Sequence, residues 1–126
     1  MGNSMHKIKA FITEARIYDV FDLFKRKPRG LGFNNTDVIV IEAKSKEGNI
    51  RVKENFFTCL KGNGTFSLDA PNRVSSAARQ KLAKFLTYYH LTDDPEKYNL
   101  VKNVNKWVNT EIEIAEDNKM HYIFVQ

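Results

Sequence analysis

The chain has 126 residues and a mass of 14.6 kDa, the size of one ordinary domain. That length excludes a pair of catalytic domains, and 42% hydrophobic with 12% aromatic residues excludes a disordered chain. The net charge is +5, and it is unevenly placed: residues 1–64 hold 12 basic and 7 acidic side chains, residues 65–126 hold 8 of each. A mild basic excess of this kind suits a phosphate-bearing partner.

His6 to Thr13 alternates Lys7, Lys9 and Phe11 against Ile8, Ala10 and Ile12, which predicts a strand. Arg16 to Phe24 fits both a helix and a strand, because its apolar residues satisfy either period. Lys25 to Asn35 reads as a loop from its Pro28, Gly30, Gly32 and asparagines. Val38 to Ile41 is a β-branched run, expected as a strand covered on both faces. A turn at Lys46–Asn49 leads to a partner strand, Ile50 to Leu60, in a hairpin. Gly62-Asn63-Gly64 turns the chain again, and Thr65 to Leu68 is expected as a short strand.

Ser75 is the expected N-cap of a helix running to about Tyr89. Its apolar stripe is Ala78, Leu82, Phe85, Leu86 and Tyr89, and its polar face carries Arg79, Lys81 and Lys84. Pro95 opens a second, short helix. Trp107 to Ala115 alternates, with Val108, Ile112 and Ile114 expected inward, and so predicts a strand. A turn at Glu116–Lys119 and a closing strand, Met120 to Gln126, complete one α+β, mainly β domain without a linker.

The order strand, strand, strand, helix, strand, strand over roughly residues 6–126 resembles the OB-fold, a five-stranded barrel with its helix between strands three and four. Asn105-Lys106-Trp107 followed by alternating residues to Ile114 is similar to the fourth strand of such domains; Asn105 stands where that family often has glycine. In this plan the first strand is long and bent, covering 6–24. The resemblance implies a ligand on the exposed face of strands two and three, framed by the first and last inter-strand loops. The first loop is basic and the last, 116–119, is short and acidic.

The densest charge is Lys25, Arg26, Lys27 and Arg29, followed by the aromatic Phe33. On the third strand Arg51, Lys53 and Phe57 share one side of a period-two ladder. Cations follow phosphates and aromatic faces stack bases, so this interleaving predicts non-catalytic binding of single-stranded nucleic acid, DNA in preference to RNA. Arg79, Lys81 and Lys84 extend the candidate track, with Arg73 before them. The acidic edge of Glu111, Glu113, Glu116 and Asp117 would orient the domain on a polyanion, or pair with the basic loop of a second copy in a homo-oligomer.

A rival reading is a metal-dependent nuclease. Glu42-Ala43-Lys44 at the end of an apolar strand resembles the second half of the PD-(D/E)xK motif, with Asp37 as the further acid, or Asp19 or Asp22 if Arg16 to Phe24 forms the preceding strand. The carboxylates would hold a divalent metal and Lys44 would activate water. The motif wants that acid on a preceding strand, and a strand ending in Glu-x-Lys is commonly a solvated pair. The remaining alternative is a protein-interaction module. His6, His90, His121 and Cys59 lack metal-ligand spacing, and no cofactor motif is present. One cysteine, no long apolar segment and no apolar leader predict a cytoplasmic protein without membrane association.

Overall fold

The computed structural model describes residues 6–23 and 36–126. Five antiparallel strands form a nearly closed barrel: β1 (His6–Asp19), β2 (Asp37–Ser45), β3 (Arg51–Thr58), β4 (Glu111–Asp117) and β5 (Met120–Ile123). Their order in the sheet is β3-β2-β1-β4-β5, so β1 is central and pairs with both β2 and β4. The long helix α2 (Arg73–Tyr88) lies between β3 and β4 in the chain. This is the expected OB-like plan. Before β2, a single-turn helix α1 (Val20–Leu23) follows β1; after α2, a single-turn α3 (Leu100–Asn103) lies between two 3₁₀ turns, Pro95–Lys97 and Val104–Trp107.

The ambiguous stretch after Thr13 is strand to Asp19 and helix from Val20, so both periods are present in succession. A bulge separates them from the first half of β1. Ile12 pairs with Ala43, Glu14 pairs with Glu42, and Thr13 is left without a partner residue. The extra residue shifts the alternation by one. Ala10 and Ile12 face the core before it, Ala15 faces the core after it, and Ile17 packs against that core. The bulge is held from below: Thr110 O accepts from Ile12 N at 3.0 Å, and Ile12 O accepts from Asn109 N at 2.7 Å.

The barrel interior is closed by aromatic packing. Phe85 of α2 lies 5.0 Å from Phe56, 5.4 Å from Tyr89 and 5.7 Å from Trp107, centroid to centroid. Trp107 is fully buried, and its indole N–H donates to Tyr98 Oη at 2.9 Å. Tyr89 joins α2 to the closing strands: Glu113 N donates to its oxygen at 3.1 Å, and its hydroxyl donates to Phe124 O. Burial pushes the Tyr89 hydroxyl pKa up to about 12.

Several local expectations are corrected. Asn72, not Ser75, caps α2, its side chain accepting from Ser75 N at 2.8 Å. Thr65 to Leu68 is not a strand; Leu68 N donates to Glu96 Oε2 at 3.0 Å, and Phe66 is buried in the core. Trp107 belongs to the 3₁₀ turn, and β4 starts four residues later. Val108 is consequently exposed rather than inward, and Asn109 takes a φ of 74° to turn the chain into β4. Val38, Ile39, Val40 and Ile41 are buried on both faces, as expected.

Inserting one residue between Thr13 and Glu14 should abolish cooperative thermal unfolding, because with the bulge kept it turns Ala15 and Ile17 outward and Glu14 and Arg16 toward the core; deleting Thr13 leaves those faces unchanged and should keep the transition cooperative. Thr13→Ala keeps the register and should cost no more than about 1 kcal/mol in urea unfolding.

Candidate nucleic-acid interface

The outer face of β1, β2 and β3 is a ladder of four rows. Strand pairing aligns Phe11 with Lys44 and Arg51, Glu14 with Glu42 and Lys53, Arg16 with Val40 and Asn55, and Tyr18 with Val38 and Phe57. Four cations and three aromatic side chains, Phe11, Tyr18 and Phe57, therefore share one surface. Arg16, Arg51 and Lys53 are exposed and Lys44 is half-buried. The expected placement of Arg51, Lys53 and Phe57 on one side of β3 agrees with this register, while Val52 and Phe56 turn inward.

Phe57 and Tyr18 are half-buried, and both pack on a small apolar cluster of Val20, Val38 and Val40 that is separate from the barrel core. The run that is covered on both sides thus serves two clusters: Ile39 and Ile41 fill the barrel, Val38 and Val40 form the floor of the outer face. Val20 N donates to Thr36 O at 2.9 Å and ties the end of β1 to the start of β2.

Glu14 and Glu42 stand opposite each other near the middle of the ladder. Arg16 Nε lies 2.8 Å from Glu14 Oε1. Hydrogen bonding with the Glu14 carboxyl holds the Glu42 pKa above its ordinary value, assisted by partial burial and opposed by Lys53 and Arg51. A cleft of about 110 Å³ lies on one side of Glu42, lined by Glu14, Arg16, Tyr18, Val40 and Lys53. Another of about 230 Å³ lies on its other side, lined by Thr13, Lys44 and Arg51 among others.

Other candidates separate from this surface. Lys25, Arg26, Lys27, Arg29 and Phe33 lie outside the described residues. Arg79 is buried, and its guanidinium donates to the carbonyls of Ser67, at 3.2 Å, and Asp69. Helical periodicity put it on the polar face, but the 65–70 segment folds over that side of α2. Lys81 pairs with Glu54 at 3.2 Å and lies over the Phe56 ring at 5.3 Å, on the opposite side of β3 from Lys53. With Lys84 it borders a groove of about 580 Å³ between α2, β3 and β5. Among the described residues no backbone hydrogen bond joins β3 to β5 across that seam.

The nuclease set is not assembled. Asp37 is five residues from Glu42 and has the opposite strand parity. Its Oδ2 accepts from Leu60 N and Thr36 Oγ1, each at 2.9 Å, which fixes the ends of β2 and β3. Among the described residues no three His, Cys, Asp or Glu side chains form a metal-binding group, and no helix is long and apolar enough to cross a membrane. Sequence patterning did not single out Glu14, Arg16 or Tyr18; the Glu-x-Arg-x-Tyr alternation was the available signal, masked by the preceding bulge. No family model, curated protein or solved structure matches the chain.

Two outcomes follow. The Glu14–Glu42 contact favours a protonated Glu42 in the folded chain, so ionising it costs stability as pH rises above its ordinary value of 4.5. Glu42→Gln should therefore raise stability at pH 7 by about 0.2–1 kcal/mol, and the gain should vanish below pH 4.5, read as urea midpoints. Arg79→Met should lose about 1–3 kcal/mol of stability, by leaving carbonyls unpaired.

Proposed function

We propose that this domain binds single-stranded nucleic acid without catalysis, along the outer face of β1, β2 and β3. The observation that carries the reading is the ladder itself: Arg16, Lys44, Arg51 and Lys53 share one continuous surface with Tyr18 and Phe57, which stand in its last row. Cations at the rim neutralise phosphates, and aromatic planes stack bases whatever their sequence. The OB-like barrel supports the reading by analogy, since such domains commonly use this face. The basic segment Lys25, Arg26, Lys27 and Arg29, with Phe33, joins β1 to β2 in the chain and belongs to the same proposed interface. DNA is the preferred probe.

The test is fluorescence anisotropy with a thymine dodecamer over a salt series. The logarithm of the affinity should fall linearly with the logarithm of salt, by about 0.7 for each phosphate neutralised. Arg51→Ala with Lys53→Ala should flatten that slope by about 1.4. Tyr18→Ala should weaken binding by about 1–3 kcal/mol at any salt. Arg79→Met should leave the affinity of the folded fraction unchanged. No binding at 20 mM salt overturns the reading.

A further inference from the structure

The ladder has a feature that phosphate binding does not explain. Two carboxylates occupy its middle, where they repel a polyanion. Glu14 is engaged by Arg16 at 2.8 Å. Among the described residues no lysine or arginine reaches Glu42 at ion-pair distance, although Lys53, Lys44 and Arg51 surround it. Its oxygens therefore keep acceptor capacity on a surface with a cleft on each side. One cleft is lined by both Tyr18 and Glu42, so a stacking ring and the carboxylate border the same space.

We infer that Glu42 reads the Watson–Crick edge of guanine in the bound strand. This rests on the single-strand reading above and names the base it favours. A carboxylate only accepts hydrogen bonds, two oxygens side by side. Guanine alone among the common bases presents two adjacent donors on that edge, N1–H and N2–H, with the fork spacing that makes arginine–carboxylate pairs bidentate. Thymine and uracil offer one donor between two carbonyl oxygens, both of which Glu42 would repel. Unpaired bases are free to be read on this edge. The surrounding cations then hold the phosphates on either side of the base, and a pair of donors placed near Glu14 and Glu42 relieves their mutual repulsion.

The probes are a thymine dodecamer, the same strand with two separated guanines, and that strand with hypoxanthine at both guanine positions. Binding is measured by anisotropy at pH 7.5 with lithium as counter-ion, so that the strands stay single. The guanine strand should bind about tenfold tighter than thymine, and hypoxanthine, which lacks the N2 amine, should lose most of that gain. Glu42→Gln should reduce the guanine preference to less than about twofold while thymine binding holds or tightens. Equal affinity for the three strands, or a preference that survives in Glu42→Gln, overturns the guanine reading and leaves single-strand binding intact. Failure of every strand to bind overturns both.

Discussion

The single extra residue at Thr13 sets the character of both sides of the sheet. β1 is 14 residues long and must pair with β4 through its first half and with β2 through most of its length. A straight two-residue alternation would carry Glu14, Arg16 and Tyr18 into the barrel. The bulge shifts the phase, so that Ala15 and Ile17 continue the core and the three polar and aromatic side chains emerge on the outer face. It also adds local twist, which a strand needs if it is to serve both halves of a nearly closed barrel. Thr13 Oγ1 donates to Glu42 O at 3.2 Å across the bulge, next to the two carboxylates. Core closure and the proposed ligand surface thus depend on the same break in register.

How legible this was in the sequence follows from where one period held. The alternation from His6, the Val38–Ile41 run and the hairpin to Ile50 each lie within a regular element, and each is found as expected. Arg16 to Phe24 was unreadable because it begins just after a phase shift and crosses from strand into helix at Val20. Trp107 to Thr110 imitates a strand by alternating apolar and polar residues, yet the hydrogen bonds of Asn109 and Thr110 go to Ile12 and Trp107. Arg79 follows helical periodicity faithfully; its burial comes from the segment before α2, whose carbonyls it contacts and which α2's own pattern does not show. The candidate site was half legible: β3 announced Arg51, Lys53 and Phe57, while β1's contribution depends on register, which requires the partner strand.

The charge asymmetry has a structural origin in this division of labour. Residues 65–126 supply most of the enclosing parts: α2, the plug containing Leu100, Val104 and Trp107, and the strands β4 and β5. Among their charges Lys97 pairs locally with Asp94 at 3.8 Å, while Lys81 and Glu111 pair with Glu54 and Lys46 of the first half. The first half supplies β1, β2 and β3, whose outer face has no covering helix among the described residues. Arg16, Lys44, Arg51 and Lys53, four of the 12 basic residues of that half, lie on this face.

A stacking surface also has to be stiff, because ordering a loose ring on binding costs free energy that the stack must offset. The second apolar cluster supplies that stiffness. Val38 and Val40 are β-branched and held between two strands, so their side chains have little freedom of their own. Tyr18 and Phe57 flank Val38 in adjacent strands and seat part of each ring on this floor, leaving the remainder accessible. Half-burial, which would remove an aromatic from binding in a core, here fixes the ring while keeping part of its surface exposed. The run of four β-branched residues in β2 therefore acts twice, filling the barrel with Ile39 and Ile41 and bracing the outer face with Val38 and Val40.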